Sequence, residues 1–570
     1  MSEGEPNRLV KWYRNLNNLS HENPGIRFLF IVFLILLFIP TLAMLCSLLT
    51  RTRSLVEPTP EPIAYDPDDY FVPDQIILTA QNIGTIQTVL NRINETDEDE
   101  DQALRIIRSF TVALPQETPF CPGLPANLEG LGNFAIALVE IDRDNTSITL
   151  EEALETLRES AGITAELNLI VGSPNYPTGS TTSWPYQTAV PQDYSNQWAF
   201  QNINLGTRNL AEDGAGVRVI VFDTVPSAYE RQEPGTKREE NTLTVSGSPI
   251  QVDWVDQNDQ WSVKVSTVQD EFGLPEPESA GENKAFDLSN HGLFVAQMVH
   301  AVAPASDVEL VEVLNEDAVG NMFTLILAFN EKLFPVDGNP LATVANLSLG
   351  IRIPPPEAQE QFELSTVGVE ALYTLIQLAH CRNIVVVAAS GNTSASIYPP
   401  ELADLPADWS AVIGVAASNR ANQRACFSNQ GEIAAPGGDG RMPQDPIPAT
   451  PLPLGCRNRL EKCADGSCEF AVIGPIMPSN AGNNDTGETQ QIGLAFWNGS
   501  SFASPLVAGL AARILAESPQ LSPDDVRHII ECGATQAEFP HDIEGRPDRH
   551  IGDGVINVEK TLTTCMPPTE

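Results

Sequence analysis

The sequence predicts an α/β fold, a parallel sheet with helices on both faces, preceded by a single transmembrane helix and a small α+β unit. Three observations predict it. Residues 28–49 form an uncharged apolar run, residues 75–176 mix strand-like and helix-like patterns, and from about residue 200 continuous apolar runs alternate with helical stretches. At 570 residues the chain exceeds one ordinary domain. The expected layout is a cytoplasmic segment 1–27, a span 28–49, a linker 50–74, the α+β unit 75–176, an exposed linker 177–194 and a large domain 195–565.

The span comes first. FLFIVFLILLFIPTLAMLCSLL carries no charge over 22 positions, and as a helix it would measure about 33 Å, enough for a hydrocarbon layer of about 30 Å. Arg8, Lys11, Arg14 and Arg27 precede it, whereas only Arg51 and Arg53 follow closely. That bias predicts a cytoplasmic N-terminus and an exported remainder. A cleaved signal peptide ending at Thr41-Leu42-Ala43 is the alternative, and it would give a soluble secreted protein. Cys46 as a lipid attachment site is weaker, because Leu45 stands where a small residue is expected.

Residues 50–74 are rich in proline and acid and read as an extended linker. In 75–176, strand patterns at 76–78, 109–114 and 134–141 flank a helix pattern with Ile86, Val89, Leu90 and Ile93 on one face. Thr149 and Glu152 form a capping box ahead of Leu150, Ala153, Leu154 and Leu157. The unit is acidic, since residues 54–190 hold 22 acidic and 5 basic side chains.

The large domain follows a different rhythm. VRVIVF (217–222), DVELVEVL (307–314), TVANLSL (343–349), NIVVVAAS (383–390) and AVIGVAAS (411–418) predict buried strands, with helices at 293–302 and 366–380 among the connections. Apolar strands separated by helices imply a parallel sheet covered on both faces. Active-site residues of such sheets gather at the carboxyl ends of the strands.

The whole chain has 75 acidic against 32 basic residues and a net charge of -43. Phosphate backbones would be repelled, which excludes nucleic acid as a partner. Of nine cysteines, Cys46 lies in the apolar run. Cys121, Cys381, Cys426, Cys456, Cys463, Cys468, Cys532 and Cys565 are an even set in an exported region, where disulfides are expected. The spacing at 456–468 lacks the tight pairs of a zinc site and suggests a loop staple.

Three motifs stand in the order Asp, His, Ser. Asp223 ends a buried strand in VRVIVFDTVP, His291 stands just ahead of an apolar helix in SNHGLFVAQMVHAVAP, and Ser501 opens a helix of small residues in NGSSFASPLVAGLAARIL. Alone, each is an ordinary turn, structural or N-cap residue. Together they resemble the subtilase family of serine peptidases over residues 195–560. The family's Gly-Thr-Ser-Met-Ala-x-Pro motif matches Gly499-Ser500-Ser501-Phe502-Ala503-Ser504-Pro505, followed by Val507-Ala508-Gly509. VVVAASGNTS places Asn392 where the family keeps its oxyanion asparagine, NLSLG (346–350) resembles its substrate-binding strand, and AAPGG (434–438) is a further match.

The resemblance implies a subtilisin-like fold and a serine endopeptidase acting on polypeptides. Ser501 would be the nucleophile, His291 the general base, Asp223 its orienting carboxylate, and Asn392 with the Ser501 N–H the oxyanion donors. Ser348, Leu349, Gly350, Ala389, Ser390 and Gly391 would bind substrate. The stretches 347–350 and 388–391 carry no charged residue, so they predict no preference for basic substrates. No cofactor is required for such chemistry. Structural calcium is compatible with the acidity, but no stretch spells a ligand loop.

Three departures stand out. Val225 and Leu293-Phe294 replace residues the family motifs usually carry, and insertions at 230–288 and 439–496 would be either rims of the cleft or plain surface loops. Residues 75–176 also resemble a subtilase pro-domain: VPDQIIL (72–78) is similar to its opening strand and SPNY (173–176) to its closing motif, while YSNQWAF (194–200) resembles the start of a mature enzyme. This implies a zymogen whose pro-domain is an intramolecular inhibitor, with an accessory ectodomain as the alternative. A catalytically inactive binding scaffold at the cell surface is the alternative to the enzyme as a whole.

Overall fold

The computed structural model describes residues 65–96, 103–114, 131–144, 146–172, 186–187, 196–226, 241–246, 260–267, 288–335, 341–394, 399–439, 470–476, 493–535 and 549–567. The predicted span 28–49, most of the linker 177–194 and Cys121, Cys456, Cys463 and Cys468 lie outside these residues. Among the described residues no helix is long and apolar enough to cross a membrane.

Asp66–Glu570 form one compact unit. Its centre is an eight-stranded sheet in the order Ile433–Pro436, Val412–Ser418, Val385–Ala389, Ala342–Leu347, Val217–Asp223, Asp307–Glu312, Gln260–Thr267 and Asn241–Ser246. All neighbours run parallel except the last pair. Side chains alternate along the strand Val217–Asp223: Val219 and Val221 join the core on one face, Ile220 and Phe222 the core on the other. Every one of those side chains is buried, as the continuous apolar run requires. The helices His291–Val302 and Ser500–Glu517 pack in the first core, while Met322–Leu333 and Glu370–Cys381 pack in the second.

The two inner strands of the 230–288 insertion, Asn241–Ser246 and Gln260–Thr267, lengthen the sheet at one edge. In sequence this segment reads only as polar, because sheet pairing at an edge leaves little apolar pattern to detect.

Residues 71–172 form antiparallel strands Phe71–Ala80, Asn133–Ile141, Leu104–Ala113 and Ile163–Gly172 with helices Ile83–Thr96 and Leu150–Arg158. The first strand begins at Phe71, so the last four residues of the predicted linker already belong to the sheet. Ile86, Val89 and Leu90 are buried as their spacing predicts, and the Thr149–Glu152 capping box is formed.

This unit packs into the same core as Met322–Leu333 and Glu370–Cys381. Two polar side chains on its last strand fix the contact. Glu166 accepts the backbone N–H groups of Glu370 (2.6 Å) and Ala371 (3.1 Å), and Asn168 accepts that of Phe323 (2.9 Å). Both therefore satisfy the free N–H groups at the starts of two helices of the large domain. The end of the same strand pairs antiparallel with Val319–Asn321 and with Gly350–Ile351, placing Gly172 opposite Gly350.

Candidate active site

Asp223 is the last residue of its strand and fully buried. Its Oδ1 accepts from His291 Nδ1 at 2.7 Å and from the Thr224 N–H at 2.7 Å. Thr224 in turn fixes the turn before the histidine: its hydroxyl donates to the Ser289 carbonyl (2.7 Å) and accepts the Gly292 N–H (3.0 Å). His291 is the first residue of its helix, not a residue ahead of it. Only glycine fits next. A Cβ on Gly292 would lie 3.0 Å from Asp223 Cβ and closer still to the Thr224 carbonyl oxygen.

Ser501 is the second residue of the helix Ser500–Glu517. Its hydroxyl donates to the Ser348 carbonyl at 3.4 Å, and His291 Nε2 has no hydrogen-bond partner in this arrangement. Ser348 Oγ donates to the Ser501 carbonyl (2.8 Å), receives Asn346 Nδ2 (3.0 Å) and meets Ser504 Oγ (3.0 Å). This buried network locks the first helical turn to the strand Ala342–Leu347.

Asn392 joins the same turn: its Oδ1 accepts the Ser500 N–H at 2.9 Å, while Ser500 Oγ accepts the Gly391 N–H at 3.1 Å. Asp223, His291, Ser501 and Asn392, which span 279 positions of sequence from 223 to 501, are thus tied to one site at the carboxyl ends of the strands.

The predicted binding residues divide. Gly350 pairs through its backbone with Gly172 of the strand Ile163–Gly172. Leu349 is wholly buried. Ser390 and Gly391 use their backbone groups internally: Ser390 N–H bonds to the Val415 carbonyl, the Asp404 N–H to Ser390, and the Asn429 N–H to Gly391. Ala389 is held in the central sheet opposite Val415.

Several neighbours escaped sequence reasoning. Phe294, Trp497 and Phe502 surround His291, with ring centroids 5.4 Å (Trp497) and 5.3 Å (Phe502) from the imidazole and Phe294 4.5 Å from Phe502. Trp497 follows the 439–496 insertion directly and ends the strand Gly493–Trp497. Gly474, on the partner strand, leaves room for the Phe294 ring. The other residue missed is Asp404. It comes from the segment 399–406 and faces both Gly350 and Gly391. The stretches 347–350 and 388–391 carry no charged residue themselves; Asp404 is supplied by a third segment.

A family model describing the subtilase family matches residues 228–554, more than half of the chain. The match holds His291, Asn392 and Ser501 and begins just after Asp223. The chain is 28% identical over 294 residues to subtilisin DY of Bacillus licheniformis, covering 49% of this chain and 80% of that one. It is also 28% identical over 282 residues to a subtilisin of Bacillus pumilus, covering 48% and 77%. Fervidolysin of Fervidobacterium pennivorans, a keratinolytic enzyme related to subtilisin, shares 14% identity at a TM-score of 0.47, over 89% of this chain and 63% of that structure. That last likeness adds no argument. The chain belongs to the subtilase family. It is a subtilisin-like serine endopeptidase.

Proposed function

We propose that Asp223, His291 and Ser501 form the catalytic triad of a membrane-anchored endopeptidase made as a zymogen. The observation that carries the chemistry is the 2.7 Å bond between Asp223 Oδ1 and His291 Nδ1, which fixes the tautomer that leaves Nε2 as the proton acceptor. Turning the Ser501 hydroxyl from the Ser348 carbonyl toward Nε2 prepares it to attack a scissile carbonyl. His291 takes the hydroxyl proton and then gives it to the leaving amine, and water repeats the sequence to release the acyl group. The anionic oxygen of the tetrahedral intermediate receives the Asn392 NH2 and the Ser501 N–H, the latter a free donor of a helix N-terminus. Ser348, Leu349 and Gly350 offer backbone to the substrate, and Gly391 walls the other side. Labelling by a fluorophosphonate probe tests the triad: wild type should react, Ser501→Ala should not, and an unreactive wild type would leave a binding scaffold.

Residues 75–176 are proposed as the pro-domain and intramolecular inhibitor. In support, the strand ending at Gly172 lies antiparallel on Gly350, the edge proposed for substrate. Residues 28–49 are proposed as the anchor, with the catalytic domain outside the cytoplasm. Cleavage between Tyr176 and Tyr194 then frees the enzyme from both inhibitor and membrane. Expression with a C-terminal tag tests this. Wild type should give a shortened soluble species while Ser501→Ala stays full-length in the membrane fraction. An active wild type that remains full-length and membrane-bound makes 75–176 an accessory domain.

A further inference from the structure

The serine attacks the carbonyl of the substrate residue on the acyl side of the scissile bond, the P1 residue. With that carbonyl held between Ser501 and Asn392, the P1 side chain must leave between the segments flanking them, Ser348–Gly350 and Ala389–Gly391. Each segment ends in glycine, and both glycines face one carboxylate. A Cβ on Gly350 would lie 3.7 Å from Asp404 Oδ2, and one on Gly391 only 2.7 Å from Asp404 Cγ. Gly391 has φ +107°, so glycine is required there by conformation as well as by space.

Asp404 is held in place. Its N–H bonds to the Ser390 carbonyl at 2.8 Å, and its Oδ1 accepts from Asn429 Nδ2 at 3.2 Å. Asn429 is oriented for that role because its Oδ1 accepts from the Thr393 N–H (3.1 Å) and Ser394 Oγ (2.7 Å). The Thr393 hydroxyl, next to Asn392, also bonds to the exposed Glu401. Two acids of one segment therefore gather beside the oxyanion asparagine.

No arginine or lysine among the described residues pairs with Asp404. Three other acids of this chain have one: Glu309 has Arg218 and Lys332, Glu432 has Arg527, Asp213 has Arg513. Asp404 keeps some solvent exposure, so a ligand can reach it. An unanswered carboxylate in a low-dielectric site is costly unless a cation arrives.

We propose that Asp404 is the floor of the P1 pocket and selects arginine or lysine there. The inference rests on Ser501 and Asn392 acting as proposed above. It goes beyond that reading by naming the substrate class. Burial pushes the Asp404 carboxyl up to about 7, with the Glu401 charge adding to the rise and the Asn429 amide opposing it. A substrate cation would reverse that rise, so selectivity should strengthen as the pH climbs and the carboxylate ionises. Among the described residues Glu401 and Asn429 act on it, and neither supplies a positive charge.

The experiment compares two internally quenched peptides that differ only in arginine or leucine at P1, cut by the expressed full chain after processing. Wild type should favour arginine by about a hundredfold in kcat/KM, and Asp404→Asn should lower the arginine-to-leucine ratio by a similar factor. Asp404→Glu should keep arginine favoured, which a role in folding alone would not predict. If Asp404→Asn does not fold, wild type alone decides: the ratio should rise between about pH 6 and pH 8, and pH effects common to both peptides cancel within it. Wild-type cleavage of leucine as fast as arginine, or an Asp404→Asn ratio equal to wild type, overturns the inference and leaves the serine peptidase standing. Failure to cut either peptide together with failure to label Ser501 overturns both.

Discussion

Asn392 Oδ1 accepts the Ser500 N–H at 2.9 Å, so the side chain proposed for the oxyanion is anchored to the helix turn that carries the proposed nucleophile. The amide cannot swing without breaking that bond. The two are positioned as one piece. Preorganised donors of this kind cost no reorganisation during the reaction.

Asn392→Ala should therefore fold and lower kcat by about 10²–10³ with a small change in KM. Steady-state kinetics on any cleaved peptide checks this. An unchanged kcat assigns the oxyanion to other donors.

Glu309 ties Arg218, Lys332 and Ser266 together beside the strand that ends at Asp223. Burial by itself would raise its pKa, but the hydrogen bonds from Arg218, Lys332 and Ser266 outweigh burial and bring the group down to about 2. A depressed carboxyl gives stability that is complete above its ordinary range near 4.5 and lost as the pH falls toward 2. Glu309→Gln should cost about 3–5 kcal/mol at neutral pH, because two cations lose their partner. The difference from wild type should shrink in urea unfolding at about pH 3. A pH-independent difference would mean that the folded chain holds Glu309 neutral.

Glu166 shows the opposite sign. Burial first, and then its hydrogen bond with Glu370, raise its carboxyl well above the ordinary value, while the Ala371 and Glu370 N–H groups pull the other way. A raised pKa gives stability present at low pH and lost as the pH rises through the folded value. The strand Ile163–Gly172 should accordingly loosen with rising pH, and Glu166→Gln should remove that dependence. Hydrogen exchange over residues 163–172 in the full-length Ser501→Ala chain, corrected for intrinsic rates, reads this. Equal pH dependence in the two chains sinks it.

Cys532 and Cys565 form a disulfide across 33 positions, and Cys381 and Cys426 are also disulfide-bonded. The first bridge pins the C-terminal turn Thr561–Cys565 to the helix Pro523–Gly533. Replacing both Cys532 and Cys565 by serine should cost about 3–4 kcal/mol, the loop-entropy value for that separation. Denaturant titration measures it, and a loss under about 1 kcal/mol would show that packing alone holds the turn.

The sequence by itself determined five central strands of the large domain, their alternation with helices, and the candidate Asp, His, Ser and Asn positions. Each of those features is written locally, as an apolar run, a strand-ending acid, a glycine next to a histidine or a small residue opening a helix. The Thr149–Glu152 box was legible for the same reason, since its partners are three residues apart. Tertiary structure decided what lies around those groups. Asp404 reaches Gly350 from 54 positions away, Trp497 reaches His291 from 206 away, and Gly172 reaches Gly350 from 178 away. No periodicity encodes such meetings. They follow from how the sheet brings its carboxyl ends together and how the connecting segments close over them, so the carboxylate beside Gly350 and Gly391 became visible only once the chain was packed.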